Sequence, residues 1–394
     1  MDEKLRIQKL AEVFYAVYHG KYGLQVINQN QEYIDQVQPS DIVRVVDMLV
    51  RNNIPMAGLR TGINKFLSIL YKPLVSREIR LPSEGGLLDI CLKNTRELLE
   101  QLKAIRPLIK SVNRDPRLAE TREALHRQFA VLENVGNYYL IKENVLFPLL
   151  EKRWKDYRCL GVMWSYHDMV RKDLMLISQL LEEDVMDLTR FNRKAGDIFF
   201  NMYALCFREE RILFPVIMDT IPEEQLNELL PECLEIGFPY FNPKLPETEK
   251  EGSGQRFAGE VDLKTGHLTP EQIMLVFNHL PVDITYVDEN DQVKYFSNPP
   301  DRIFPRSAGV IGRDVRNCHP PESIHVVEQI LESFRKGERE SATFWIDLKE
   351  EKVLIQYFAC RDRRGKYKGV VEVSQVITTM QSLTGEKRLL DWNS

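Results

Sequence analysis

The sequence predicts a multidomain chain, an all-α N-terminal half followed by an α+β domain built on one antiparallel sheet. Three observations carry this reading. Apolar residues recur at spacings of three and four from the start to about residue 240. A stretch rich in proline, glycine and alternating charge then interrupts the pattern at residues 239–260. Beyond it, short apolar-polar alternations are separated by turn residues, the signature of strands. The 394 residues are enough for two or three domains with cores of their own.

The first helices read as a small unit over 1–73. Gln38-Pro39-Ser40-Asp41 stops one helix and starts the next, with Ser40 placed to cap it. That helix runs through Val43, Val46, Leu49 and Val50, and another follows Pro55 through Leu59, Ile63, Phe66 and Leu70 until Pro73 ends it. Four long helices come next, over roughly 86–111, 117–147, 160–183 and 191–218, and their short connections predict an antiparallel four-helix bundle over 74–238. Residues 239–260, holding Pro239, Pro243, Pro246, Gly252, Gly254 and Gly259, read as a flexible linker. In 261–394 the expected order is a helix near Ile273–Leu280, strands over 282–288 and 292–297 around a turn at Glu289-Asn290-Asp291, a helix through Ile324 to Phe334, and three strands in SATFWIDLK, KVLIQYFACR and YKGVVEVSQVI.

Composition sets the outer limits. Lys and Arg number 53 against 58 Asp and Glu, so the mildly acidic chain is not expected to coat nucleic acid. No run approaches the ~18 apolar residues of a membrane span, and MDEKLRIQKL lacks the apolar segment of a signal peptide. The six cysteines are scattered without a C-x-x-C pair, which fits a reducing compartment. The expectation is a cytoplasmic protein with no membrane or nucleic-acid partner.

Two segments repeat late in long helices: Lys142-Glu143-Asn144-Val145-Leu146-Phe147-Pro148 and Glu209-Glu210-Arg211-Ile212-Leu213-Phe214-Pro215. Helical spacing puts Glu143 on a stripe with Phe129, Leu132, Tyr139, Leu146 and Leu150. The same spacing puts Glu210 with Phe199, Tyr203, Cys206 and Leu213, and His167 with Leu160, Trp164, Val170 and Leu174. A charge facing a bundle core costs several kcal/mol unless it is paired or ligates a metal, and inward Glu and His from facing helices are how bundles hold two metals.

On these two boxes and the Trp164–Asp168 run W-x-x-H-D, the chain over roughly 40–235 resembles the hemerythrin-type, HHE cation-binding family, in the version joined to a small helical domain of unknown function. The resemblance implies non-heme iron held by His126, Glu143, His167 and Glu210. The chain departs from the family where it matters for that centre. Only three histidines precede residue 250, and Tyr138, Tyr139, Leu205 and Cys206 stand where the family places histidine. The competing reading is a metal-free bundle whose buried carboxylates bond to neutral His and Tyr hydroxyls.

The segments LTPEQIMLVFNHLPVDITYVDENDQVKYFS, DRIFPRSAGVIGRDVRNCHPPESIHVVEQIL and GEKRLLDW closely resemble the PAS module fused behind hemerythrin-like bundles in low-GC Gram-positive bacteria. This implies a PAS domain over 261–394, with a small pocket between sheet and helices lined by Val287, Phe296, Phe304, Val327, Phe334, Trp345 and Tyr357, or else a plain core at those positions. His319 or His325 is a candidate axial ligand for heme, against a bland role for His319 at a helix start. Cys318 is a candidate redox-responsive thiol.

No P-loop, G-x-S-x-G, H-E-x-x-H or other catalytic constellation appears, so no enzyme is expected. The leading expectation is a PAS-containing sensor or signalling adaptor for a small ligand, redox or gas signal. Its output would pass to an unknown protein partner through a degenerate bundle, with homodimerisation through the PAS domain by family analogy. The alternatives are a non-heme iron protein that binds oxygen or nitric oxide or donates iron, and a ligand-free interaction module.

Overall fold

The structure is a computed structural model that describes residues 2–20, 23–116, 119–183, 185–243 and 259–386. Most of the linker expected over 239–260, and most of the closing GEKRLLDW, lie outside the described residues. Two compact units are present, a helical one in the N-terminal part and an α/β one in the C-terminal part.

The helical unit begins with α1 (Glu3–His19), α2 (Gly23–Gln29), α3 (Gln31–Asp35), α4 (Pro39–Arg51) and α5 (Met56–Ser76). Asp41 rather than Ser40 caps α4. Its buried carboxylate accepts the Gln38 backbone N–H at 2.8 Å and the Arg6 guanidinium at 2.5 and 2.9 Å. This fixes α1 against the start of α4. Pro73 does not end α5, which continues to Ser76. Removing one N–H in the final turn is compatible with three more helical residues before the chain leaves.

The long helices follow as α6 (Leu87–Arg114), α7 (Ala119–Glu133), α8 (Val135–Ile141), α9 (Phe147–Arg153), α10 (Cys159–Glu182), α11 (Leu188–Arg208) and α12 (Phe214–Thr220), and the short α13 (Glu223–Asn227) and α14 (Leu230–Ile236) complete the unit. Between α8 and α9, and again between α11 and α12, the chain makes one π-helical turn, Lys142–Leu146 and Glu209–Leu213. Each π turn falls on one copy of the repeated box and leads straight into its proline. Proline cannot donate to the carbonyl four residues back and its ring collides with it. The wider turn shifts the hydrogen-bond register at that point, so each helix passes its proline without a break. Asp47 joins α4 to α10 by accepting the Arg158 backbone N–H at 2.8 Å. The buried apolar core of the unit is continuous from Leu10 to Phe238.

The α/β unit opens with a small hairpin, β1 (Val261–Asp262) and β2 (His267–Leu268), and α15 (Pro270–Asn278). The main sheet contains β3 (Asp283–Asp288), β4 (Val293–Phe296), β5 (Ser341–Leu348), β6 (Glu351–Arg361) and β7 (Tyr367–Val376), with α16 (Ile324–Lys336) between β4 and β5 and α17 (Thr378–Gln381) after β7. The order across the sheet is β4-β3-β7-β6-β5, all pairs antiparallel. Asp288 makes the expected turn by accepting the backbone N–H groups of Asn290 and Gln292 at 2.9 and 3.0 Å. The sheet and α16 enclose a core of Val287, Val293, Val310, Leu331, Phe334 and Val370.

Candidate functional site

The two π turns bring the first residues of the two boxes together. Lys142 and Glu209 occupy equivalent positions of the repeat, and both are fully buried, at 0 and 1% exposure. The Lys142 ammonium donates to Glu209 Oε1 and lies 3.9 Å from the centre of the Tyr138 ring and 4.8 Å from that of Tyr139. The Tyr138 hydroxyl donates to Glu209 Oε2 at 3.2 Å and sits 3.1 Å from both Thr95 Oγ1 and the Cys91 carbonyl. Burial, with Glu209 beside it, holds the Tyr138 phenol well above its usual value, so it stays a hydroxyl. Burial likewise pushes the Cys91 thiol up to about 12.

A second group lies one residue further along the first box. Glu143 accepts from Arg171 Nη2 at 2.6 Å, and its Oε1 lies 2.8 Å from His167 Nδ1. Arg171 also donates to Asp168 at 2.9 Å. His167 is sandwiched between aromatic rings, with Tyr139 stacked at 4.1 Å and Phe147 at 6.2 Å. Burial pushes its pKa well below the usual histidine value, Lys142 and Arg171 adding to the effect, so the ring is neutral. One proton is then shared between Nδ1 and Glu143 Oε1, and Nε2 is buried without a hydrogen-bond partner.

Glu143 and His167 make opposite contributions to stability as pH changes. Burial raises the Glu143 carboxyl to about 7, with Arg171 opposing. The folded chain therefore holds that proton between ~4.3 and ~7, where the unfolded chain has released it. Stability from this group is full below ~4.3 and is lost as pH rises through ~7. His167, lowered on folding, contributes stability above ~6.5 that is lost as pH falls. Glu143→Gln removes the first effect and keeps the second. Urea melts of wild type and variant at about pH 5 and about pH 7.5 should show wild type losing ground to the variant as pH rises, and parallel curves would contradict the assignment.

The four expected metal ligands are not brought together. Glu143 and His167 meet, but His126 lies at the surface with its side chain 38% exposed, 3.5 Å from Glu182. Glu210 is half-buried, its carboxyl raised by burial and lowered by Arg211 and Arg96. Glu209, its neighbour, is the buried carboxylate of the second box. Among the described residues no three His, Cys, Asp or Glu side chains converge as a metal-ligand set. The cations facing the buried carboxylates are Lys142 and Arg171, which oppose a metal electrostatically. The donor set does not fit a two-iron centre.

In the α/β unit, Val287 and Phe334 are buried in the core, with Phe296, Val327 and Tyr357 packed against it. Trp345 does not line this space. Alternation along β5 puts it on the face opposite Ala342, and it is 67% exposed. Phe304 lies outside that core cluster, its backbone N–H 3.4 Å from Asp283. The His319 Nδ1 donates to the Val315 carbonyl at 2.8 Å, which ties off a short 3-10 turn, Val315–Cys318. Burial pushes His319 below the usual histidine value. His325 is exposed on α16 and stands apart from that bond. Cys318 packs partly buried against the core.

Sequence reasoning missed Lys142, Glu209 and Arg171. The signal for the first two was present, since the repeat aligns a lysine with a glutamate at its first position. Among the described residues no helix is long and apolar enough to cross a membrane.

Residues 273–378 match the family model described as PAS domain. The crystal structure of a C-terminal domain from Streptococcus mutans is 32% identical, over 32% of this chain and 98% of that one, with a TM-score of 0.31. The PAS domain of a protein from Colwellia psychrerythraea is 15% identical, over 28% of this chain and 97% of that one, with a TM-score of 0.23. The PAS domain of Bordetella pertussis BvgS is 18% identical, over 27% and 85%, with a TM-score of 0.24. No curated protein matches the chain. The α/β unit of this chain is a PAS domain.

Proposed function

We propose that the chain is a cytoplasmic sensor or signalling adaptor. In this reading the PAS unit perceives a small ligand, redox or gas signal. The helical unit, a hemerythrin-like bundle that has exchanged metal for side-chain cations, transmits the signal or docks a protein partner. The observation that carries the reading is the pairing of a PAS domain with a bundle whose buried carboxylates already have their counter-charges, Glu209 with Lys142 and Glu143 with Arg171. A bundle so neutralised has no electrostatic demand for iron, which removes the main support for an oxygen-binding or iron-donating role. His319 is committed to the Val315 carbonyl through Nδ1, and His325 is exposed, so neither histidine favours heme over other signals. A second reading, an interaction module without ligand, is favoured by Val287 and Phe334 being packed core. The metal content of the purified chain after loading with ferrous iron tests the proposal for the helical unit.

A further inference from the structure

Between α5 and α11 lies a groove of about 460 Å³, walled by Leu67, Tyr71 and Val75 from the first helix and by Phe200, Tyr203 and Phe207 from the second. Tyr71 and Phe207 stack at 5.3 Å, while Tyr71, Val75 and Phe200 are 52, 37 and 57% exposed. Single apolar residues are common on a surface, but aromatic side chains left open to water around one concave opening mark a place that a partner covers. On α5 the lining residues run from Asn64 to Val75, which at 1.5 Å per residue is ~17 Å, or about three helical turns. A groove of that length between two helices takes a third helix, whose side chains set between the ridges of both walls.

The charge around the opening is positive. Arg211 lines it and donates Nη1 to the Val75 carbonyl at 3.3 Å. Arg106 donates to the Tyr203 hydroxyl at 3.0 Å, its guanidinium 5.4 Å from the centre of that ring. Glu210 is the one acid among the described lining residues, its carboxyl raised by burial with Arg211 and Arg96 opposing, so Arg96 also acts on the groove. Lys72 is exposed on α5, one turn from both Ser68 and Val75, which line the opening. Among the described residues Lys72 and Arg96 take part in no ion pair. Four cations around one carboxylate favour an acidic occupant.

We propose that this groove docks an acidic amphipathic helix of a partner protein, its apolar face on Tyr71, Phe200 and Phe207 and its carboxylates against Lys72, Arg96 and Arg211. The proposal rests on the reading of the helical unit as a docking element, and it adds the chemistry of the partner.

The test is titration calorimetry on the full chain with a designed amidated peptide of about four turns, leucine and phenylalanine at positions i, i+3, i+4 and i+7 and glutamate at the others. The controls are the same peptide with lysine for glutamate, and a permuted peptide of equal composition without an apolar face. The glutamate peptide should bind saturably at one site, and each control at least about tenfold more weakly. Phe200→Glu should abolish binding, with Tyr71→Glu as the second variant. Both positions are exposed, so both variants should melt as wild type does. Lys72→Glu combined with Arg96→Glu should weaken the glutamate peptide by about tenfold or more and reverse the preference between the two charged peptides. Absence of saturable binding, a control peptide binding as tightly, unchanged affinity in folded Phe200→Glu or Tyr71→Glu, or binding of phosphatidylserine vesicles in place of the peptide would each overturn the proposal. Iron held tightly by the bundle would overturn the sensor reading and leave the peptide result standing, so the two failures are distinguishable.

Discussion

Lys142→Met is expected to destabilise the helical unit by about 3–5 kcal/mol, because it leaves the Glu209 carboxylate buried without its counter-charge. Of the groups around Glu209, Lys142 brings the positive charge, and the Tyr138 hydroxyl can offer only one neutral hydrogen bond. Glu209→Leu alone should cost a similar amount by stranding the ammonium between two rings. The double variant Lys142→Met with Glu209→Leu should recover most of the loss, since replacing a buried ion pair by apolar groups is often neutral or stabilising. Tyr138 then keeps Thr95 and the Cys91 carbonyl as partners. Urea unfolding of the four proteins gives the coupling directly, and additive losses in the double variant would mean that the two side chains do not act as a pair.

Gly369→Ala is expected to disrupt the PAS sheet. Gly369 has φ +129°, and a Cβ there would stand 2.0 Å from the Val287 carbonyl oxygen and 3.0 Å from Asp288 backbone atoms. It lies opposite Asp288 in the β3–β7 ladder and opposite Cys360 in the β6–β7 ladder, beside the register shift at Cys360/Arg361. The methyl group therefore meets backbone on the central strand pair, where no side chain can move aside. Backbone strain of about 1–3 kcal/mol adds to overpacking of about 1–3 kcal/mol, a large share of the ~5–15 kcal/mol that holds a domain folded. The turn glycine Gly365 is the control. It also has positive φ, but no atom lies within 4 Å of its Cβ position, so Gly365→Asn should cost no more than about 1 kcal/mol. Thermal melts followed by circular dichroism should show a much lower transition for Gly369→Ala than for Gly365→Asn, and equal transitions would contradict this account of the sheet.

Much of the fold was legible because its signals are local. Period-two alternation gave all five main strands to within a residue or two, with the turn at Glu289–Asp291. The apolar periodicity gave the long helices, and the boxes located the buried charges. The π turns were not legible, because nothing in composition separates a π turn from an α turn before proline. The choice of Glu210 over Glu209 has a separate cause. Helix α11 carries two adjacent apolar stripes, and the aromatic one, Phe199 and Tyr203, was read as the core. The buried stripe is Ile198, Met202, Leu205 and Glu209, while Phe200, Tyr203 and Phe207 border the groove near Arg208. Periodicity counts apolar faces but does not say which of two neighbouring faces another helix covers.

The most direct measurement is the iron content of the full chain after anaerobic loading with ferrous iron and desalting, with a visible spectrum of the same sample. Less than about one iron per chain is expected, a level that Glu143→Ala and His167→Ala leave unchanged, because too few ligands converge to hold the metal. Two tightly held irons per chain, lost in either variant, would contradict it and make the helical unit a metal centre.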